Sequence, residues 1–567
     1  MMPALDPAGS ADPPEALQYG GGVPASIKSP PEEVAPAPAP TSERGITAAL
    51  RRRLAPVSPG ALVGAAGVAA LAVFFFFNVN SQLWLDEALS VNISRLPLTE
   101  IPDALRQDNS APLHYLLLHV WMEVFGEGNF AARSLSGLAV LATVPAVWLA
   151  GRRIGGDWTA WTAALLVATS PFAGLYATQA RMYALVILLT ALGYLALTSV
   201  LARPSPARVV LLGLLSGLLM LTHYWSFYLL AAVFFVLVVS LAWTRRRRAV
   251  LWAAAGIAGG AVLMLPWLPV FLFQVENTGT PWGNPTSYKF LVDIGEYFAD
   301  TNRARWYLTP AAPPGRILGV LLVVLAGLAV LRTRSSAAEP ESAKAVAGRR
   351  HSMSLAAVVL GTVALAVIVS KVKPVTFESR YLAVVFVPFV LLVATGISLV
   401  AGRYLRLGLT AAVVSLGVIG SAANINAERS HAPEIAAAVE RSAQEGDVVA
   451  YCPDQLAPPV DRLLGPGFKQ VTLPTDSTSE RVNWVDYATR IAATDPAAFA
   501  QEADRMAGPD NDVWLVWADG YGAYGGQCGA VAQELDRVRP MPEQPIVLSH
   551  ATNYFEPSNL RRYRPGG

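Results

Sequence analysis

Long uncharged apolar runs, separated by short polar connections, occupy most of the chain between residues 57 and 423. The first run, 57–77, has about the twenty residues that a helix needs to cross the hydrocarbon core of a bilayer. Ten further runs lie at 135–150, 158–180, 182–202, 209–221, 227–243, 249–275, 317–331, 352–370, 381–400 and 407–423. The pattern predicts eleven membrane-spanning helices, and the least marked break is the one at 222–226.

A shorter apolar stretch, residues 112–125, lies between the first two spans and is too short and too polar to cross a membrane. Tyr115, His119 and Glu123 recur along it every four residues, so they lie on one side of a helix. Leucine and valine occupy the opposite side. The spacing predicts an amphipathic helix in the membrane interface, and prolines within 94–105 predict one or two further turns there.

After residue 425 the pattern changes to short apolar runs among charged, Pro- and Gly-punctuated segments. The runs at 448–451, 470–473, 513–517 and 546–548 predict strands, and the segments 435–442, 496–506 and 530–538 predict helices between them. Such alternation favours a small α/β domain with a largely parallel sheet. The domain has no Gly-rich phosphate loop, metal-ligand spacing or nucleophile elbow. We therefore expect it to bind the acceptor or a partner rather than to carry separate catalysis.

The composition supports the same division of the chain. Of 567 residues, 53% are hydrophobic and only 15% are charged, which is typical of a polytopic α-helical membrane protein. The first forty residues contain ten prolines, so we expect a disordered tail. The predicted domains are a tail at 1–53, a transmembrane domain at 54–425 and the α/β domain at 426–567. The net charge of +2 gives no indication of nucleic-acid binding.

Charge in the connections predicts the orientation of the protein in the membrane. If the N-terminus is inside, the inner connections carry 18 Lys and Arg residues, mostly in short loops, and the outer connections carry 11. Lys and Arg in short loops favour the cytoplasmic side. We therefore expect a multi-pass protein of the cell membrane with a cytoplasmic N-terminus and an extracytoplasmic C-terminal domain.

Ionisable residues cluster at span ends on the predicted outer face. Asp86 and Glu87 follow the first span, and ionisable groups held close to lipid are costly and mark candidate functional sites. Further polar groups at outer span ends are Arg181, Tyr183, His223, Tyr224, Lys371, Lys373, Glu378 and Arg380. Singly, each has a simpler explanation, such as an arginine that anchors a span at the interface. Together they predict a cavity for an anionic, lipid-linked substrate.

Five short sequences in this region share one order and one predicted membrane face: Trp84-Leu85-Asp86-Glu87, Ala111-Pro112-Leu113-His114-Tyr115, the segment 125–138, Ala180-Arg181-Met182-Tyr183 and Glu378-Ser379-Arg380-Tyr381-Leu382. This combination resembles the polytopic glycosyltransferases with a GT-C fold, in particular glycosyltransferase family 39 and its bacterial relatives. That group includes protein O-mannosyltransferases, lipid A aminoarabinose transferases and rhizobial lipopolysaccharide galacturonosyltransferases. The resemblance covers roughly residues 60–425.

Two positions depart from the pattern of that family. The sequence Asn109-Ser110-Ala111-Pro112 stands where relatives often have His-Pro-Pro, and Gln179 stands where an acidic residue is frequent. The second departure leaves open whether a divalent cation is bound, and no metal ligand is assigned.

The resemblance implies transfer of a sugar from a polyprenyl-phosphate donor to an envelope glycan, glycolipid or protein on the outer face. Asp86 would be the general base, since a carboxylate can accept the proton of an attacking hydroxyl. Glu87 would orient the acceptor or Asp86 itself. The reaction would be a single displacement that inverts the anomeric centre.

The remaining site residues are assigned to the donor phosphate or to the cavity. Arg181 and Arg380 are the main phosphate ligands, because fixed cations stabilise the negative charge that grows on the leaving group. Their helpers are Lys371, Lys373, His223 and Tyr183. The acceptor side of the cavity is assigned to His114, Tyr115, Tyr224 and Glu378.

Two hypotheses from other classes compete with this one. A transporter or flippase of lipid-linked sugars would also need many spans and external cations, although transporters concentrate polar groups near mid-membrane and often show repeated halves. A non-catalytic scaffold that binds envelope polymers through its C-terminal domain is the third hypothesis.

Cys452 and Cys528 are the two cysteines of the chain, and both lie in the C-terminal domain. Outside the membrane, disulfides can persist. Each cysteine follows a predicted strand, so the two lie at one edge of the sheet if those strands are parallel neighbours. This arrangement predicts a disulfide, and two unpaired thiols are the alternative.

Overall fold

The computed structural model describes residues 59–279, 284–285, 293–299, 312–335, 343–372, 376–518, 525–540, 543, 546, 548 and 555–565. The chain divides into two compact units, 1–62 and 63–567. The tail at 1–53, predicted to be disordered, lies outside the described residues, and so does Lys373.

The described part of the transmembrane region is almost entirely helical. Its α-helices, in chain order, are α1 Pro59–Phe77, α2 Leu85–Ser94, α3 Ile101–Asp108, α4 Leu113–Phe125, α5 Asn129–Ala168, α6 Pro171–Ala177, α7 Tyr183–Ala202, α8 Pro206–Thr222, α9 Ser226–Ser240, α10 Arg247–Gly260, α11 Leu268–Asn277, α12 Ile294–Ala299, α13 Ala312–Ser335, α14 Ala343–Val372, α15 Ala383–Ser398 and α16 Arg403–Ile425. A 3₁₀ segment, Ala261–Trp267, joins α10 to α11, and another, Ser379–Leu382, leads into α15. Strands β1 Asn284–Pro285 and β2 Thr376–Phe377 form a short antiparallel pair.

Seven of the described helical segments are long and apolar enough to cross a membrane, namely Asn129–Ala168, Tyr183–Ala202, Arg247–Asn277, Pro314–Leu331, His351–Val372, Ser379–Ser398 and Arg403–Ile425. Four shorter apolar helices accompany them, at Leu62–Phe77, Leu113–Phe125, Pro206–Thr222 and Ser226–Ser240. The protein is therefore a polytopic helical membrane protein, as predicted. The count of eleven spans stays a prediction.

The second and third predicted spans are joined in one helical segment that turns sharply at Gly156. This residue has a φ of 78° inside α5, a conformation that glycine adopts without steric cost. The helix then stops at Ala168, so the span predicted at 158–180 is interrupted. Ser170 accepts a hydrogen bond from the N–H of Ala173 and Pro171 occupies the first turn of α6, which is the favoured chemistry for starting a new helix.

The segment between the first two predicted spans folds into three short helices. The amphipathic helix predicted at 112–125 is confirmed as α4, and its apolar residues Val120 and Val124 are exposed, as expected for a helix that contacts lipid. Tyr115 on the other side is buried against the protein. Helix α2, which contains Asp86 and Glu87, was not predicted. The sequence gives no helix signal there, because the ten residues are mostly polar or small and show no marked amphipathic pattern.

The C-terminal domain is a four-stranded sheet between helices, as predicted. Its elements are α17 Ala432–Ser442, β3 Val448–Cys452, α18 Ala457–Asp461, β4 Lys469–Thr472, α19 Tyr487–Ala492, α20 Pro496–Ala507, β5 Val513–Trp517, α21 Gln527–Val538 and β6 Asn559–Tyr563. The strand order is β4-β3-β5-β6, with β3, β4 and β5 parallel and β6 antiparallel to β5. All five residues of β3 are buried, as is usual for a central parallel strand with both faces covered.

The fourth strand was predicted at the wrong place. It is β6, whereas Ile546 forms an isolated bridge to Leu560, and residue 547 lies outside the described residues. Adjacent arginines obscure β6 in the sequence, and ion pairs accommodate them, Arg561 with Asp536 and Arg562 with Asp512.

The predicted disulfide is confirmed. Cys452 at the end of β3 is bonded to Cys528 in the first turn of α21, and their Cα atoms are 5.3 Å apart. The bridge therefore ties a central strand to a helix that covers the sheet.

Candidate functional site

Asp86 lies in the first turn of α2, where the helix dipole favours a negative charge. The hydroxyl of Ser90 donates a hydrogen bond to the Asp86 carbonyl at 2.9 Å. The Asp86 side chain is 16% exposed, so it is mostly enclosed yet still reachable from outside the protein. The local structure thus presents one partly exposed carboxylate at the start of a short helix.

Two arginines from distant parts of the chain converge on one oxygen of this carboxylate. Arg380 Nη1 lies 3.1 Å from Asp86 Oδ2, and Arg181 Nε lies 3.7 Å from the same atom. The Oδ1 atom has no hydrogen-bond partner among the described residues. The fold therefore brings the predicted base and both predicted phosphate ligands together, and the contacts within the described residues all fall on Oδ2.

Arg181 is held by several groups besides Asp86. Its Nη1 donates to the Asp86 carbonyl at 3.1 Å, to Ser90 Oγ at 3.2 Å and to the Tyr115 hydroxyl at 3.3 Å. The Tyr115 hydroxyl in turn donates to Asp108 Oδ2 at 2.9 Å. Burial is the main cause of the raised pKa of Asp108 and of Tyr115. Tyr115 is assigned to the acceptor side, but its hydroxyl accepts a hydrogen bond from Arg181 and so helps to hold that side chain.

Glu87 is fully buried, with 0% of its surface exposed. Its two carboxylate oxygens accept hydrogen bonds from Arg133 Nε and Nη2, both at 2.7 Å. The Oε1 atom also accepts the N–H of Ala180 at 2.9 Å. These contacts fix the turn that carries Arg181. Because Glu87 has no exposed surface, these contacts do not favour its predicted role of orienting the acceptor, and the alternative role of orienting Asp86 stays a prediction.

Arg133, Asp108 and Arg429 are site residues that sequence reasoning missed. Arg429 donates to the carbonyl of Thr178 at 2.6 Å and lies 4.0 Å from Glu87 Oε2. Arg133 and Asp108 sit in the first external segment, so their common membrane face was a signal that could have identified them. Arg429 follows the last span, and only the fold reveals its position.

His223 is enclosed by the rings of Tyr183 and Tyr381, with centroid distances of 5.5 Å and 5.1 Å. Burial, together with the charges of Arg181 and Arg380, lowers the pKa of His223 to about 3. Its Nδ1 accepts the N–H of Trp225 at 3.1 Å, so the neutral ring carries its proton on Nε2. His223 is thus a neutral hydrogen-bond donor at physiological pH rather than a cation.

The remaining predicted residues are more dispersed. Burial lowers the pKa of His114 to about 3, with a contribution from Arg181. The Tyr224 hydroxyl accepts Trp267 Nε1–H at 2.9 Å and donates to Gln274, which places it in a packing network. Glu378 is half-buried two residues before Arg380, and Lys371 is exposed at the end of α14.

Asp86 is surrounded by guanidinium groups, which do not ligate metals. Within the described ranges, His, Cys, Asp and Glu form no group of three or more that could hold a metal ion. A divalent cation remains a prediction from the sequence, and no step below depends on one.

Comparison with solved structures shows the fold over most of the chain. The oligosaccharyltransferase of Archaeoglobus fulgidus, tethered to an acceptor peptide, aligns with a TM-score of 0.50 at 11% identity, over 84% of this chain and 72% of that one. ArnT of Cupriavidus metallidurans, bound to undecaprenyl phosphate, aligns with a TM-score of 0.42 at 16% identity, over 89% and 98%. The mycobacterial arabinofuranosyltransferase AftD gives 0.49 at 14% identity, over 88% and 40%. The fold assignment rests on the first of these.

The membrane helices and the aligned fold define a polytopic protein with the GT-C fold of membrane glycosyltransferases. Residues 109–269 match the family model described as dolichyl-phosphate-mannose-protein mannosyltransferase. The resemblance to glycosyltransferase family 39 is therefore confirmed, in the fold and over this segment. No curated protein sequence matches the chain.

Proposed function

We propose that this protein is a membrane glycosyltransferase that moves a sugar from a polyprenyl-phosphate donor to a hydroxyl of an envelope glycan, glycolipid or protein. One observation carries the proposal. Asp86 keeps Oδ1 available among the described residues, while Oδ2 is held beside Arg380 and Arg181. The description of the matching family, which names a dolichyl-phosphate sugar donor, supports the same chemistry.

In the proposed reaction, Asp86 accepts the proton of the acceptor hydroxyl while the hydroxyl oxygen attacks the anomeric carbon. The bond between that carbon and the phosphate oxygen breaks, and its electron pair leaves with the lipid phosphate. The donor phosphodiester thereby becomes a monoester and gains negative charge. A positioned base of this kind typically contributes on the order of 10²–10⁴-fold to the rate. A single displacement inverts the anomeric centre.

Arg181 and Arg380 stabilise the charge that develops on the leaving phosphate. Guanidinium groups suit this task because their planar donors match phosphate oxygens. Both arginines are already fixed beside Asp86, so little reorganisation is needed during the reaction. Neutral His223 and Tyr183 can add hydrogen bonds, and exposed Lys371 would act at the rim.

The buried Glu87–Arg133 pair positions the site without touching the substrate. It anchors the turn at Ala180, which precedes Arg181. Of the acceptor-side candidates, Glu378 and Tyr224 are half-buried, whereas His114 and Tyr115 are buried. The transferred sugar is a hexose or a pentose, and the site faces outward with the N-terminus in the cytoplasm. The flippase hypothesis has no support from the fold.

Reconstituted protein tests the proposal directly. Purified enzyme in liposomes receives a radiolabelled polyprenyl-phosphate sugar and an envelope extract, and label in the acceptor fraction is counted. Wild type and the control Asp103→Asn, which alters an exposed acid on α3, should both transfer label. Asp86→Asn should not. Equal transfer by Asp86→Asn, or movement of the lipid across the bilayer without transfer by wild type, contradicts the proposal.

A further inference from the structure

A buried carboxylate of the C-terminal domain reaches the start of the helix that carries Asp86. Glu556 is 3% exposed, and its Oε1 accepts the N–H of Leu85 at 2.7 Å. Its Oε2 accepts the hydroxyl of Ser430 at 3.3 Å. Leu85 is the first residue of α2 and directly precedes Asp86. A residue 471 positions away thus bonds the helix one residue from the proposed base.

Apolar packing holds the same end of α2 against the same domain. The ring of Trp84 contacts that of Phe555 at a centroid distance of 4.8 Å. Trp84, Leu85 and Leu89 share one hydrophobic core with side chains of the sheet domain, including Cys452. The start of α2 is therefore built into the C-terminal domain rather than resting on its surface.

The hydrogen bond satisfies a group that α2 leaves free. The first N–H groups of a helix have no partner within the helix and are usually bonded by a capping side chain. Trp84 occupies the capping position and makes no such bond. Glu556 supplies an acceptor for one of these N–H groups from another domain. Without it, the first turn of α2, which contains Asp86, would lose a fixed point.

We propose that Glu556 is a positioning residue of the transfer reaction and that the C-terminal domain sets the catalytic helix. This inference rests on the proposed function. It differs from the role of acceptor binding that the sequence suggested for the domain. By accepting the N–H of Leu85, Glu556 keeps Asp86 positioned beside Arg181 and Arg380. The domain is therefore part of the catalytic unit.

Glu556 acts in this role through the hydrogen-bond acceptor at Oε1 rather than through a negative charge. Burial raises the pKa of Glu556 well above its usual range, although the bond from Leu85 opposes the rise. A neutral glutamine, which keeps a carbonyl oxygen at the position of Oε1, should therefore replace it well. Alanine removes the acceptor altogether.

The test compares full-length Glu556→Ala and Glu556→Gln with a matched control, Asp447→Ala. Asp447 is also a buried carboxylate of this domain and accepts the N–H of Asp512 and Trp514 Nε1–H. It precedes β3 and lies about 16 Å along that strand from Cys452, at the end away from α2. Hydrogen–deuterium exchange of peptides covering α2 and transfer kinetics are measured for each variant.

Glu556→Ala should speed exchange in the first turn of α2. It should lower kcat by roughly 10- to 100-fold, as a misplacement of about 1 Å does, with little change in the KM for donor. Glu556→Gln should restore both, and Asp447→Ala should leave α2 exchange and kcat per folded molecule near wild type. Exchange in Glu556→Ala equal to wild type, or kcat equal to that of Asp447→Ala, overturns the inference.

If Glu556→Ala does not fold, a second variant provides the test. Ser430→Ala removes one bond to Glu556 and should also speed exchange in α2, and wild-type exchange in that variant would refute the inference. If the wild-type protein shows no transfer at all, the proposed function fails. The exchange results still decide whether the domain orders α2.

Discussion

Replacing Glu87 by glutamine should lower the free energy of unfolding by more than is usual for so conservative a substitution. The carboxylate is fully buried and accepts both Arg133 Nε and Nη2 at 2.7 Å. The glutamine side chain keeps one acceptor oxygen, but its NH2 group would face an N–H donor of Arg133. The guanidinium would then be left in the protein interior without a matching charge.

The cost follows from the environment of Arg133. Removing one partner of a buried ion pair typically lowers the free energy of unfolding by roughly 3–5 kcal/mol, because the other charge stays uncompensated. Arg133 also donates to the carbonyls of Ser81 at 2.6 Å and Gln82 at 3.0 Å, which still accept from it in the variant. We therefore expect a loss of about 3 kcal/mol, the lower end of that range.

The matched control is Glu127→Gln, which breaks an ion pair with Arg95 in the same external region. Those side chains are 37% and 47% exposed and their charged atoms are 3.7 Å apart, so the expected cost is about 0–1 kcal/mol. Unfolding of both variants is followed in detergent by denaturant titration, together with transfer per folded molecule. If Glu87→Gln loses no more stability than Glu127→Gln, the buried pair does not anchor the site as argued.

Three further results are expected. Arg380→Ala should weaken transfer strongly and Arg380→Lys should recover part of it, since lysine keeps the charge but not the planar fork; wild-type kinetics in both would make Arg380 an interfacial anchor only. Cys452→Ser should lower the free energy of unfolding by up to about 4–5 kcal/mol, the chain-entropy value for a separation of 76 residues, and an unchanged denaturation midpoint would contradict this. Because burial lowers the pKa of His223 from 6.5 to about 3, the unfolded chain binds the extra proton as pH falls between these values. The free energy of unfolding should therefore fall as the pH is lowered from 6.5 to about 3. In acid titrations of unfolding, His223→Gln should lose less stability over this range than wild type.

Much of the architecture follows from local sequence signals. The apolar runs identify the membrane helices, because only residues that tolerate lipid can occupy such lengths. Alternating polar and apolar positions identify α4, and apolar runs between turns identify β3, β4 and β5. Asp86, Arg181 and Arg380 could be selected because each stands at a span end on one predicted face. None of these inferences needs a contact between distant residues.

The tertiary structure decides what the selected residues do. Asp86 and Glu87 are neighbours in the sequence, yet Asp86 lies beside Arg380 and Arg181 whereas Glu87 is buried against Arg133, because successive residues of a helix point in different directions. The hydrogen bond from Leu85 to Glu556 joins residues 471 positions apart. No periodicity encodes such a pair, since it depends on how a sheet domain packs on a membrane helix bundle. The candidate residues of the site could thus be selected from the sequence, whereas the different surroundings of its two adjacent acids could be seen only in the fold.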